Sequence, residues 1–206
     1  MHTAARPRLL YAALKRYMEQ FRIEWWMVAG LPALLFLALL PLFRQSMEAL
    51  SVGSSGFCAG VFSVAILLLY QSVYGTVYAQ LSLLLLSLAG GFTAGCFVRK
   101  FPMSDVTIGL LTGGMLFGLS LPDTPPAPLF FIANAAAGFL VSAQFVTRRR
   151  TSAGKLYAAD CAGGVLGMAL ASTMLIPVFG LAAVAAGLAV MKTAVEVVAR
   201  ERAVVV

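Results

Sequence analysis

The sequence predicts an all-α integral membrane protein with about seven transmembrane helices, and three observations carry that prediction. Hydrophobic residues make up 61% of the 206 residues and charged residues only 11%, where soluble domains have about a quarter of their residues charged. The mean hydropathy is +0.92. Apolar runs of roughly 20 residues, long enough to cross about 30 Å of hydrocarbon, recur along the chain.

Residues 1–24 are predicted to form a basic amphipathic segment at the membrane interface. Pro7 suits the first turn of a helix. Apolar side chains at helical spacing lie opposite charged ones, as in helices that rest on a membrane surface. The apolar set is Leu10, Leu14, Tyr17, Met18, Phe21 and Trp25, and the charged set is Arg8, Lys15, Glu19 and Arg22. A disordered basic tail is the alternative.

Residues 25–199 are predicted to form the transmembrane bundle, and residues 200–206 a short C-terminal tail. The seven candidate spans cover roughly 26–43, 50–70, 75–98, 105–121, 127–147, 156–176 and 179–198. The fourth is short, and the last two are joined tightly at Pro177.

The distribution of basic residues predicts a multi-pass topology with the C-terminus in the cytoplasm, because cytoplasmic connections are enriched in Lys and Arg. With the N-terminus outside, ten basic residues are cytoplasmic and five are external. The ten are Arg44, Arg99, Lys100, Arg148, Arg149, Arg150, Lys155, Lys192, Arg200 and Arg202. A re-entrant first span would return the N-terminus to the cytoplasm and change nothing else.

The net charge of +7 is explained by basic residues that flank the predicted spans. The basic residues gather at the ends of apolar runs, where they set orientation and contact anionic lipid, so a nucleic-acid partner is not expected. The membrane-surface group comprises Arg148, Arg149, Arg150 and Lys155.

Glycines at four-residue spacing predict helix-packing faces, because small residues let helix backbones approach closely in lipid. The predicted packing pairs are Gly56 and Gly60, Gly91 and Gly95, Gly109 and Gly113, and Gly163 and Gly167. Gly114 and Gly118 have the same spacing.

Few polar side chains fall within the predicted spans, and each needs a partner there because no water is present. The candidates are Asp160, Gln71, Gln80, Asn134 and Gln144. Asp160 is the only carboxylate placed within a span. A salt bridge from Asp160 to Lys155 or to Arg148–Arg150 would pin the start of a helix, and the amides would hydrogen-bond between helices. The alternative is that these groups line a polar cavity.

The sequence offers little for metal binding or catalysis. Cys58, Cys96 and Cys161 lack metal-site spacing, and His2 is the single histidine, so neither a metal nor a haem is expected. No phosphate-binding glycine loop, hydrolase elbow or paired-carboxylate site is recognisable.

Two segments resemble a known family. "YQSVYGTVYAQLSLLLLSLAGGFTAGCFVRK" (70–100) and "KLYAADCAGGVLGMALASTMLIPVFGL" (155–181) resemble the membrane portions of bacterial transmembrane spermidine synthase-like proteins, whose helices are related to half of a major facilitator transporter. The resemblance covers about residues 45–198. The second segment matches the motif at Tyr157, Ala158, Asp160, Gly163, Gly164, Gly167, Ile176, Pro177 and Gly180.

The resemblance implies a membrane module, because the catalytic synthase fold is missing and Ser63 stands where such proteins commonly carry a glutamate. We therefore expect a non-catalytic subunit of a larger assembly in the bacterial inner membrane. It would have protein partners and no cofactor of its own, and a boundary between chains could hold lipid or quinone. The alternatives are a half-transporter for a polyamine or other organic cation, a quinone-handling subunit of an electron-transfer complex, or a membrane-bound polyamine-synthesising enzyme that needs a separate synthase partner.

Overall fold

A computed structural model of the chain describes residues 47–75, 78–98, 104–121, 124–147 and 152–205, and these ranges contain helices but no strand. The helices are α1 (Met47–Tyr74), α2 (Tyr78–Cys96), α3 (Asp105–Ser120), α4 (Ala127–Thr147), α5 (Ala153–Leu170), a π-helical segment (Ala171–Phe179) and α6 (Gly180–Val205). The predicted N-terminal interfacial segment and the first predicted span lie outside the described residues.

The described helical residues fall into five uninterrupted stretches, the last of which joins α5, the π-helical segment and α6, and four of these stretches are long and apolar enough to cross a membrane. The α3 helix is apolar but shorter. The prediction of seven spans is therefore met only in part. One span falls outside the described ranges, and the last two lie in a single continuous helical stretch, Ala153–Ala199. The all-helical class and the apolar, membrane-compatible character are confirmed.

The last stretch nevertheless folds back on itself. Asp160 contacts Gly56 of α1, and Lys192 contacts the adjacent Ser55, whereas a straight helix would separate Asp160 and Lys192 by about 48 Å. The reversal is at Gly180, whose φ of 79° and ψ of 166° leave the helical region. Pro177 lies just before it and can donate no backbone hydrogen bond.

Local signals explain where the other helices begin and end. Ser104 caps α3 by accepting a hydrogen bond from the Thr107 N–H at 3.2 Å. Gly75 ends α1 with a φ of 79°, and its N–H donates to Gln71 O at 2.9 Å. A left-handed residue is the usual way for a helix to stop.

The helices pack most extensively in three pairs, α1 with α5, α2 with α4, and α3 with α6. The first two pairs run parallel, because Gly56 and Gly60 face Asp160 and Gly164, while Gly91 and Gly95 face Ala135 and Phe139. The α3–α6 pair is antiparallel, since Gly109 faces Lys192 and Gly113 faces Ala185. The pairing is symmetric between the two halves of the bundle: if α1, α2 and α3 are exchanged with α4, α5 and α6, the same three pairs result. Each helix crosses the bundle in the opposite direction to its counterpart in the other half.

One end of the bundle, which we call the basic end, is where α1, α3 and α5 begin and where α2, α4 and α6 finish. In the sequence, the stretches that join α2 to α3 and α4 to α5 contain Arg99, Lys100 and Arg148–Arg150, whereas those that join α1 to α2 and α3 to α4 contain no Lys or Arg. The buried core runs mainly along α1, of which 78% of the most apolar stretch is buried, against 17% for α2.

Candidate functional site

A buried charge pair lies near the basic end of the bundle. Lys192 Nζ is 2.7 Å from Asp105 Oδ1, and both side chains are fully buried. Charged groups are costly inside a membrane protein unless they are paired and hydrogen-bonded. The surroundings of this pair are therefore the main feature of the site.

Polar side chains from two further helices complete what we call the charge cluster. It consists of Ser51, Ser55, Asp105, Gln144 and Lys192. Ser51 Oγ donates to Asp105 Oδ2 at 2.8 Å, and Gln144 Nε2 donates to Asp105 Oδ1 at 2.6 Å. Lys192 Nζ donates to Ser51 O at 3.1 Å and to Ser55 Oγ, and the Ser55 hydroxyl donates to Gln144 Oε1.

The local sequence explains how each group reaches the cluster. Ser51 and Ser55 are four residues apart on α1 and so share a face. Asp105 is the first residue of α3, where a carboxylate is favoured by the helix dipole. The Asp105 N–H also donates to Glu196 Oε2 of α6 at 3.0 Å.

Gly109 makes room for the lysine. A Cβ added at Gly109 would lie 2.5 Å from the Cβ of Lys192, closer than side-chain carbons pack. The stem of Lys192 therefore passes over the glycine face of α3 before its ammonium group reaches the carboxylate. This contact gives the predicted packing residue Gly109 a second role in admitting the charge.

The hydrogen bonds of the charge cluster run between helices. The carboxylate oxygens of Asp105 and the ammonium group of Lys192 each hydrogen-bond to another side chain or to a backbone carbonyl. Within the described ranges, no group of three or more His, Cys, Asp or Glu residues is placed to hold a metal ion. The charge cluster therefore joins α1, α3, α4 and α6 at one end of the bundle.

Asp160, the predicted pinning carboxylate, lies elsewhere. It sits on α5 against Gly56, and a Cβ added at Gly56 would lie 2.7 Å from Asp160 Oδ1. That oxygen is buried and has no hydrogen-bond partner among the described residues. Lys155 is exposed and no ion pair with Asp160 is present in the described part of the chain, while Arg148–Arg150 lie outside it.

The predicted amides occupy three separate places. Gln144 belongs to the charge cluster. Asn134 Nδ2 donates to Leu84 O of α2 at 2.7 Å. Gln80 accepts from the buried Tyr70 hydroxyl near the opposite end of the bundle, and Gln71 is partly buried on α1. These groups and Asp160 do not share one cavity in the described structure.

The four predicted glycine pairs lie at helix contacts. A Cβ at Gly56 or Gly60 would approach the backbone of α5 to 2.2 or 2.3 Å, and one at Gly163 or Gly167 would approach α1 to 1.9 or 2.3 Å. Gly91 and Gly95 contact α4 equally closely, and Gly113 contacts α6. Gly114 and Gly118 instead face open space, with nothing within 4 Å.

Sequence reasoning missed Asp105 and Lys192. Asp105 was not among the candidate site residues, and Lys192 was counted with the cytoplasmic basic residues. The structure places both side chains in the charge cluster, where each is fully buried. A carboxylate other than Asp160 therefore lies inside the bundle, at the first residue of α3. One signal was available: Lys192 follows a long apolar run and is itself followed by Ala194, Val195, Val197 and Val198.

The chain was also compared with known proteins. Comparison with protein-family models, with curated protein sequences and with solved structures finds no match.

Proposed function

We propose that the chain is a non-catalytic integral membrane subunit that packs within a larger membrane assembly. One observation carries the proposal: the amide side chains of Gln144, Asn134 and Gln80 make helix–helix hydrogen bonds at three separate places. Gln144 serves the charge cluster, Asn134 binds a backbone carbonyl, and Gln80 binds Tyr70. A channel or binding cavity would instead need such groups to face a common space.

The shape of the clefts in the described bundle supports the same proposal. Two clefts hold about 280 and 290 Å³ and are lined almost wholly by apolar side chains. Neither is lined by Asp160, Asn134 or a glutamine. Neither cleft therefore gives these polar groups a shared space.

The α2 helix offers the most apolar surface to a partner. Leu83, Leu85 and Leu86 are 53%, 50% and 63% exposed, and the helix buries less of itself than any other candidate span. In a membrane such a face contacts either lipid or another protein. We assign part of the exposed face of α2 to contact with a partner subunit.

We further propose that the protein resides in a bacterial inner membrane with its basic end in the cytoplasm. The basic connections gather at one end, as the positive-inside rule requires. The four long apolar helices are compatible with a multi-pass membrane protein.

The test is native mass spectrometry of the tagged chain extracted from its own membrane in a mild detergent. We expect a mass that exceeds one chain plus lipid by that of another protein. A photo-crosslinking residue at Leu86 of α2 should join that partner. The same residue at Val190 of α6, which is 68% exposed, should join it less. A solitary chain with equal, lipid-only crosslinks at both positions would contradict the proposal.

A half-transporter for a polyamine or other organic cation is the second candidate. The inverted, self-matching pairing of α1–α3 with α4–α6 favours it, since transporters are commonly built from such repeats. Two copies would have to form the cavity between them. Uptake of labelled spermidine by proteoliposomes, abolished by Asp160→Asn, would support this candidate. Uptake equal to that of empty liposomes would reject it.

A further inference from the structure

We propose that the groove between α1, α5 with the π segment, and α6 binds one acyl chain of an anionic phospholipid. The groove consists of two adjoining clefts that share Phe57 and Met191. One is lined by Phe179, Val184 and Gly187, and the other by Leu50, Gly163 and Val195. The site differs from the charge cluster and needs no partner subunit.

The length of the groove fits a lipid tail. Its lining runs along α6 from Ala183 to Val195, which is about 18 Å of helix. One leaflet supplies about 15 Å of hydrocarbon, half of the bilayer core. A single acyl chain entering from the basic end would therefore lie along α6 for its whole depth in that leaflet.

The chemistry of the lining favours a tail over a polar ligand. Ser54 is the one hydroxyl-bearing side chain on the groove, and it donates to Ser51 O at 2.7 Å. A quinone ring would find no free donor for its carbonyl oxygens on the described walls. A saturated or unsaturated hydrocarbon chain needs none.

Charge at the mouth of the groove indicates the head group. Leu50 and Val195 mark its basic end, and Lys155 is exposed on α5, eight residues or about 12 Å before Gly163. An exposed lysine at this end of the groove favours anionic over zwitterionic head groups.

Gly187 allows a direct test. It lies on the groove, and a Cβ there would meet nothing within 4 Å, so Gly187→Phe can fill the groove without displacing backbone. Gly114 on α3 is an equally open helical glycine that lines neither cleft, so Gly114→Phe is the matched control. Ala183→Leu fills the same cleft with a smaller change, should Gly187→Phe not fold.

The experiment titrates the delipidated full chain, in mild detergent, with phosphatidylglycerol or phosphatidylcholine of identical tails, and counts retained lipids by native mass spectrometry. We expect one tightly held phosphatidylglycerol. Gly187→Phe should weaken it about tenfold or more, the equivalent of two or so displaced methylenes, and Gly114→Phe should not. Lys155→Ala should reduce the preference for phosphatidylglycerol. Equal retention by the two glycine variants would overturn the acyl-chain site, and equal retention of both lipids by the wild-type chain would overturn the anionic assignment.

This outcome is independent of the proposed function, because it is measured on the isolated chain. A second protein recovered in the groove by crosslinking from Ala183, in place of lipid, would also overturn the site while leaving the subunit proposal standing.

Discussion

Replacing Lys192 with methionine should destabilise the protein by about 3–5 kcal/mol, the usual cost of leaving one buried charge without its partner. The attraction across 2.7 Å amounts to about 6 kcal/mol at an effective dielectric constant of 20. Desolvation of the two ions, several kcal/mol each, offsets most of that gain. The methionine variant loses the attraction but keeps the cost of burying the Asp105 carboxylate.

A double-mutant cycle separates the pair from the general cost of altering the site. In Lys192→Met with Asp105→Asn, neither charge remains, while Ser51 and Gln144 can still hydrogen-bond to the amide. The double variant should therefore be more stable than the sum of the single effects by about 3 kcal/mol, within the range measured for groups in contact.

The assay is the free energy of unfolding of the purified chain in mixed micelles, titrated with sodium dodecyl sulfate and followed by far-UV circular dichroism. Lys155→Met is the control, because that lysine is exposed and its loss should change stability by no more than about 0.5 kcal/mol. If Lys192→Met and Lys155→Met shift the transition equally, the reasoning about the charge cluster is refuted.

Three further predictions concern the contacts between helices. Gly163→Leu should destabilise the chain by about 1–3 kcal/mol through overpacking, since a Cβ there would lie 1.9 Å from the α1 backbone. Gly114→Leu, facing open space, should be neutral in the same unfolding titration, and similar losses would contradict the packing assignment. Gln144→Leu should cost about 1–3 kcal/mol by leaving cluster groups unpaired; a variant as stable as the wild type would show that the cluster does not depend on the amide. Asn134→Leu, which breaks one hydrogen bond between α2 and α4, should cost only about 0.6–2 kcal/mol, and a loss as large as that of Lys192→Met would be unexpected.

The glycine spacing shows which part of the architecture is readable from sequence. Four-residue spacing places two glycines on one helix face. Within an apolar run, such a face indicates that the backbone of another helix approaches closely there. The spacing does not say which helix approaches. Gly114 and Gly118 have the same spacing as Gly109 and Gly113 but face outward, because a shift of five residues turns them about 140° around α3, away from α6.

The charge cluster shows what sequence could not supply. Its members come from positions 51, 55, 105, 144 and 192, far apart in the chain, and no local pattern pairs them. Asp105 follows a capping serine as many helix-starting acids do, and the apolar residues around Lys192 indicate that it is buried but not which carboxylate it meets. Only the inverted path of the chain at Gly180 brings the lysine back beside the first turns of α1 and α3.

The parallel pairing of α1 with α5 has a consequence for biosynthesis. Ribosomes deliver a polypeptide from its N-terminus, and Gly53, Gly56 and Gly60 emerge roughly a hundred residues before the glycines that they contact. The Asp105 carboxylate is likewise inserted well before the lysine that neutralises it. Nascent α1 and α3 therefore lack these contacts until α5 and α6 have been synthesised, and in the meantime the translocon, lipid or a chaperone must shield their glycine faces and the carboxylate.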